Sequence, residues 1–314
     1  MFRNLLEEVL IQSEVLNPLV SVVMPVYNRE EYVGFAIDSI RGQTYKNWEL
    51  LIIDDASTDG SLEIIKRLAL CDSRILIFEN EKNKGIHYCR NLGIQNAKGT
   101  LIAYLDSDDI AVSNRFQKQI DLLIKGFDLV GSSLLFINEI GITIGTADYP
   151  SDISSINRMM RYTLPVPNPS LLARRDVFEC VGNYRFPCAE DYDFFLRAMD
   201  LGFKASNVEE PMVYMRMHSQ NTGGQNVRLQ RKLTNLAWDL HIQRVCFGKE
   251  NSSWKSEIIV DKYNTPPLEG RAAYHYRIAF VKKQTNMIQC LYHLAIALIL
   301  WPPNLAHLLR KRKT

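Results

Sequence analysis

Leu101-Ile102-Ala103-Tyr104-Leu105-Asp106-Ser107-Asp108-Asp109 is a short apolar run, strand-like in length and composition, that ends in three carboxylates within four residues. Carboxylates crowded this closely repel one another unless a cation sits among them. A hard divalent ion such as Mg²⁺ commonly bridges one or two carboxylates to a substrate's phosphates. Open α/β sheets bind ligands beyond the carboxyl ends of their strands, so the stretch reads as a metal and phosphate site at a strand end. The competing reading is a solvated acidic turn that starts the next helix, since Asp and Ser favour helix starts.

The chain before this stretch alternates. Val20 to Met24 reads as a strand closed by Pro25, which cannot donate to a sheet ladder. Tyr32, Val33, Ala36, Ile37 and Ile40 then fall on one face of a helix over Glu30 to Arg41. A second strand over Trp48 to Ile53, a helix over Ser61 to Leu70 and a third strand over Arg74 to Glu79 follow. Strand alternating with helix implies right-handed crossovers and an α/β fold, a mostly parallel sheet flanked by helices. The turn Pro25 to Arg29 contains no glycine, which removes the dinucleotide fingerprint and with it a dehydrogenase.

Such an architecture gathers the first two strand-end loops on the edge that carries the acidic stretch. Pro25, Tyr27 and Asn28 offer backbone groups and an aromatic face to a nucleobase, and Asp55 an acceptor for the imide N–H of a uracil. Alternatively, Asp54 and Asp55 start a turn that Asp59-Gly60 finishes. Asn83 to Gly93 is a glycine-led entry to a helix, whose free N–H groups and dipole attract phosphate. Lys84 and Arg90 stand there as nucleotide contacts, although Arg90 can equally pair with the site's own carboxylates.

Composition narrows the classes. A chain of 314 residues, 46% hydrophobic, can bury one large core or two modest ones. A formal net charge of +2 and the absence of a basic stripe before the final residues speak against nucleic acid as a partner. Cys71, Cys89, Cys180, Cys188, Cys246 and Cys290 show no zinc spacing and suit a reducing, cytoplasmic setting. The amino terminus carries Glu7, Glu8 and Glu14 and so lacks a signal peptide's apolar core.

Five pieces in order, Val22-Val23-Met24-Pro25-Val26-Tyr27-Asn28, Gln43-Thr44-Tyr45, Ile52 to Gly60, Asn83-Lys84-Gly85 to Arg90-Asn91, and Leu105 to Asp109, closely resemble the family 2 glycosyltransferases of the GT-A fold. The resemblance covers roughly residues 19 to 220. It implies that Tyr27 and Asp55 hold the nucleobase, that Arg90 lies near base and phosphates, that Asp106 meets the ribose, and that Asp108 binds a Mn²⁺ or Mg²⁺ bridging the diphosphate. Ala189 to Arg197 resembles the family's Glu-Asp motif, which makes Asp191 the general base for an inverting transfer and Glu190 its acceptor-positioning neighbour. From the residues alone, Asp193 is an equal rival. His218 resembles a histidine that completes the metal or diphosphate site in several relatives.

The implied activity is metal-dependent inverting transfer from a nucleotide-sugar donor, a UDP-sugar, to a hydroxyl of a glycan or lipid-linked glycan acceptor in cell-surface polysaccharide or lipooligosaccharide assembly. A nucleotidyltransferase of similar fold, and a relative that binds nucleotide or glycan without catalysis, are the alternatives. The first lacks its glycine-rich basic loop after the opening strand, and the second has no need of Asp106, Asp108 and Asp191 together. Three regions are expected: an amphipathic helix over 1–17, a nucleotide-sugar transferase domain over 18–224 and a helical extension over 225–314. In the last, the apolar run Cys290 to Trp301 is too short to span a bilayer. With Arg310 to Lys313 behind it, the run suits peripheral contact with the cytoplasmic membrane face or a homodimer interface.

Overall fold

The computed structural model describes residues 17–218 and 227–251, together with 292, 295 and 296. Within these, one compact unit takes residues up to 134 and 148–214, and a second takes 135–147 and residues from 215 onward. The expected helix over 1–17 and nearly all of the apolar and basic tail lie outside the described residues.

The chain runs β1 (Val20–Val26), α1 (Val33–Arg41), β2 (Trp48–Asp54), α2 (Ser61–Ala69), β3 (Ile75–Glu79), α3 (Ile86–Asn96) and β4 (Leu101–Tyr104). It continues through β5 (Ile110–Ala111), α4 (Arg115–Ile124), β6 (Leu129–Ile137), β7 (Thr143–Ala147), α5 (Ile153–Met159) and a short turn of 3-10 helix at Asn168–Ser170. Then come β8 (Leu172–Arg174), α6 (Arg175–Val181), α7 (Glu190–Asp200), β9 (Ala205–Arg216) and α8 (Val227–Phe247).

The strand order is β3-β2-β1-β4-β8-β6-β9-β5. The first four strands pair in parallel, as alternation with helices requires. From β8 onward the resolved pairings are antiparallel, so the fold is α/β with a mixed sheet flanked by helices. β2 lies between β1 and β3 and is buried at every residue, which is why Trp48 to Ile53 reads as an apolar strand with Glu49 its one interruption. The one acid inside that run, Glu49, is compensated: its Oε1 accepts from Ser21 Oγ and from the Lys98 backbone N–H, each at 2.6 Å.

One local expectation changes. β1 runs through Pro25, which pairs with Ile53, rather than stopping before it. The ladder to β4 ends at Val23, and Pro25 follows the same alternation, so its missing N–H would have pointed where no strand remains. β6 passes through Gly131 without a break. A Cβ there would meet Asn207 Oδ1 at 2.4 Å and Val166 Cγ1 at 2.8 Å, so the glycine permits close packing on an intact strand.

In the first unit, an aromatic group seats α6 and α7 on the sheet. Tyr104, at the end of β4, meets Phe178 edge-on at 6.2 Å, Phe178 stacks on Phe194 at 5.0 Å, and Tyr184 lies 4.8 Å from Phe194. Each such pair contributes about 0.5–1.5 kcal/mol beyond its buried area. The group fixes the start of α7 beside the carboxyl end of β4. In the second unit, the ends of β6 and β9 with β7 enclose Phe136, Met215 and Met217, and Arg216 Nη1 donates to the carbonyls of Asn138 and Glu139. His218 is buried there after β9. Among the described residues, no helix is long and apolar enough to cross a membrane.

Candidate active site

The residues singled out in the sequence all lie in the first unit, except His218, which belongs to the second. Asp55 follows β2 and is buried. Its Oδ1 accepts from Asn80 Nδ2 at 2.8 Å and from the Lys84 backbone N–H at 2.9 Å, and its Oδ2 from the Gly85 N–H at 2.8 Å. A carboxylate has about four acceptor positions, so three are used to shape the loop at 83–85. Gly85 takes φ +87°, a backbone region that glycine enters without penalty. The Lys84 side chain donates to Tyr88 Oη at 3.1 Å and lies over its ring.

Asn28 has φ +52°, and both ends of the residue are tied to the loop after β2: its N–H donates to Ser57 Oγ at 3.0 Å and its Oδ1 accepts from the Thr58 N–H at 2.8 Å. Asn28 is thus a loop fastener, while Tyr27 beside it keeps 44% of its surface exposed and presents an open aromatic face.

The acidic loop holds the main surprise. The cations among its carboxylates are arginines. Arg29 Nε donates to Asp108 Oδ2 at 3.0 Å, and Arg90 Nη2 donates to Asp106 Oδ1 at 3.3 Å. Arg115 is fully buried and lies within electrostatic reach of Asp109 and Asp106, its Nε donating to Gln119 Oε1 at 3.0 Å and its Nη2 to the Leu171 carbonyl at 3.1 Å. The crowding that implied a bound ion is therefore relieved by guanidinium groups from three separate elements. Burial raises the Asp106 pKa, Arg90 opposes that shift, and Asp108 reinforces it.

Among the described residues, no group of three or more His, Cys, Asp and Glu side chains forms a closed metal cage. The donor chemistry of Asp106 and Asp108 still suits a hard cation that takes one or two carboxylates and completes its shell with phosphate and water.

Arg90 is the hub. It is buried, and its Nη1 donates to Glu190 Oε1. The Asn168 amide, with its oxygen turned to the guanidinium, accepts from Nη2 at 2.7 Å, Nη1 at 3.0 Å and Nε at 3.2 Å. The rings of Tyr104 and Tyr184 lie 5.5 and 6.0 Å away. Burial pulls the Arg90 pKa down, but Glu190 and then Asp106 more than reverse it. Burial raises the Glu190 pKa against the pull of Arg90, with Asp191 pushing it up further. The alternative left open for Arg90, pairing with the site's own carboxylates, is what the side chain does.

Glu190 and Asp191 begin α7 directly after Ala189, whose φ of +57° is left-handed. A non-glycine residue there costs about 1–2 kcal/mol, and the turn aims both acids at the start of the helix. Asp191 is partly exposed, and its Oδ1 accepts from the Tyr192 N–H at 2.8 Å. Asp193, the rival base, is completely buried and accepts at Oδ2 from both Arg185 Nε and Arg197 Nε at 3.0 Å. A carboxylate shared by two guanidiniums and closed to solvent is a structural brace. Reasoning from sequence missed this, along with Arg29, Asn80, Arg115 and Asn168. Arg29 stands beside the quoted Tyr27-Asn28 motif, yet no local signal connects it with a partner 79 residues away.

The chain as a whole is similar to known proteins. The model of glycosyl transferase family 2 matches residues 21–182. UDP-Glc:alpha-D-GlcNAc-diphosphoundecaprenol beta-1,3-glucosyltransferase WfaP of Escherichia coli is 31% identical over 234 residues, covering 73% of this chain and 90% of that one. Among solved structures, S. aureus TarS in complex with UDP-GlcNAc superposes with a TM-score of 0.56 at 18% identity, over 90% of this chain and 89% of that one. Mannosyltransferase PcManGT of Pyrobaculum calidifontis, in complex with GDP-Man and Mn²⁺, superposes with a TM-score of 0.54 at 17% identity, over 92% and 76%. These two share its GT-A fold. The chain belongs to glycosyl transferase family 2 and is a glycosyltransferase.

Proposed function

We propose that the chain transfers a sugar, with inversion at the anomeric carbon, from a UDP-sugar to a hydroxyl of a lipid-linked glycan during bacterial cell-surface polysaccharide assembly. The observation that carries this reading is Arg90. One buried guanidinium donates both to Asp106 of the acidic loop and to Glu190 at the start of α7. That shared partner supports reading the carboxylate given to the donor ribose and the turn that carries Asp191 as parts of one site. The name of the WfaP relative, which describes a UDP-glucose donor and a diphosphoundecaprenol-linked acceptor, supports the choice of donor and acceptor class.

In this reading Tyr27 stacks on the base, and the remaining acceptor position of Asp55 takes the imide N–H. Asp106 receives the ribose hydroxyls. Asp191, partly exposed and in the first turn of α7, accepts the proton of the attacking hydroxyl as the new bond forms. Glu190, engaged by Arg90, positions this turn. Asp108 would hold a Mn²⁺ or Mg²⁺, which when bound would stabilise charge on the departing diphosphate as a Lewis acid.

The test is thermal-shift screening against UDP, GDP and their sugars, with and without Mn²⁺. Stabilisation by UDP that deepens with Mn²⁺ is expected. Equal response to every nucleotide, or to none, would overturn the donor assignment.

A further inference from the structure

We propose that Tyr149 is the platform for the acceptor sugar: its ring packs against the pyranose whose hydroxyl gives its proton to Asp191, so this residue sets acceptor affinity separately from donor binding. The proposal rests on the reading of Asp191 as the base and of a glycan as the acceptor.

Tyr149 lies in the short stretch between β7 and α5, which has no regular secondary structure yet is fastened residue by residue. The Tyr149 N–H donates to Ser133 Oγ of β6 at 3.1 Å, the Pro150 carbonyl accepts from Asn207 Nδ2 of β9 at 2.7 Å, and the Ser151 carbonyl accepts from Ser206 Oγ of β9 at 2.7 Å. Asp152 then caps α5, its Oδ1 accepting from the Ser155 N–H at 2.9 Å. Ser133, Ser206 and Asn207 are all buried, so the backbone of Tyr149 is mounted on the sheet. The same Asn207 amide donates to the Pro165 carbonyl at 2.9 Å, which joins this mount to the segment leading to Asn168 and its grip on Arg90.

Two tyrosines, Tyr149 and Tyr184, lie within electrostatic reach of Asp191. Tyr184 is buried in the aromatic group that seats α7, whereas Tyr149 stays partly open to solvent. The Tyr149 hydroxyl has no hydrogen-bond partner among the described residues. Burial, and after it Asp191, push this phenol up to about 12, so it keeps its proton and is a donor at neutral pH.

A partly open ring with a polar tip, on a fixed backbone beside a carboxylate, suits a sugar. The ring can cover the apolar C–H face of a pyranose while the hydroxyl donates to one of its oxygens. Tyrosine supplies such contact at low cost in conformational entropy, and a backbone fixed beforehand lowers that cost further. The nucleotide contacts assigned above come from the ends of β1, β2 and β4 and from α3. Loss of the ring should therefore weaken the acceptor more than the donor.

The experiment measures binding of octyl glucoside, octyl galactoside and octyl N-acetylglucosaminide to the full chain by saturation-transfer difference NMR, below their micelle concentrations. Transfer kinetics with UDP-glucose and UDP-N-acetylglucosamine run beside it. Wild type, Tyr149→Phe and Tyr149→Leu are compared, with thermal melts to establish that the variants are folded. Tyr149→Leu keeps apolar bulk without a ring face and should weaken pyranoside binding and raise acceptor KM about tenfold. Tyr149→Phe, which loses the hydroxyl alone, should do so about threefold. Donor KM should move at most about twofold in either variant.

Unchanged pyranoside binding and acceptor KM in Tyr149→Leu would overturn the platform. So would equal losses in the Phe and Leu variants, because the ring would then contribute nothing, or an equal rise in donor and acceptor KM, which a general distortion of the site produces. A wild-type chain that binds none of the pyranosides overturns it together with the acceptor reading. If UDP-sugars are not turned over while pyranoside binding follows the stated order, the donor reading falls and the platform stands.

Discussion

The guanidinium of Arg90 donates to the carboxylate of Glu190, one hundred residues further along the chain. That contact joins the helix following the Lys84–Gly85 turn to the turn that presents Asp191, and Asn168 closes round it from a third segment. Breaking a buried ion pair by deleting one partner leaves an uncompensated charge. Arg90→Met should therefore cost about 3–5 kcal/mol of stability. Glu190→Gln, which keeps an acceptor, should cost about 1–3 kcal/mol. Urea midpoints measure both, and a loss below 1 kcal/mol for Arg90→Met would show that the pair is not closed to water.

The two acids of α7 separate by assay. Asp191→Asn should leave the urea midpoint unchanged and lower transfer by about 10²–10⁴-fold. Asp193→Asn should do the opposite, weakening the fold by about 3–5 kcal/mol while the folded fraction still turns over. Measuring kcat and stability on the same preparations decides it. A stable but inactive Asp193→Asn would exchange the two roles.

Asp55 shapes a loop and, in the proposed reading, reads a base. Asp55→Asn exchanges one acceptor oxygen for a donor nitrogen that faces either the donors of Asn80 and Lys84 or that of Gly85. A stability loss of about 1–3 kcal/mol is expected, with UDP binding weakened at least about tenfold by calorimetry. Intact stability with lost binding would mean that the loop does not depend on this carboxylate.

His87, in the first turn of α3, gives a pH prediction. Burial lowers its pKa below the usual histidine value; Asp55 opposes the shift and Arg90 adds to it. The folded state thus takes up this proton less readily than the unfolded chain. The contribution is fully present above pH 6.5, the ordinary histidine value, and is lost as pH falls through the lowered folded-state pKa. Urea midpoints measured from pH 7.5 down to 5 should fall more steeply for wild type than for His87→Gln. Parallel curves would rule out this source of acid sensitivity.

The sequence by itself determined the alternation of strands and helices, the edge on which their loops meet, and the family. Each of these is written in short-range pattern: the buried run Trp48 to Asp54, the helical face of Val33 to Ile40, and the five motifs in register. It also pointed to Asp191 and to the acidic loop. Only the tertiary structure decided what neutralises that loop, which of Asp191 and Asp193 is open to solvent, and whether Arg90 faces carboxylates. The reason is physical: charge compensation in a folded protein is a matter of through-space distance at low dielectric. Arg29 with Asp108, Arg90 with Glu190, and Asn168 with Arg90 are partners brought together from distant parts of the chain, where no local spacing foreshadows them.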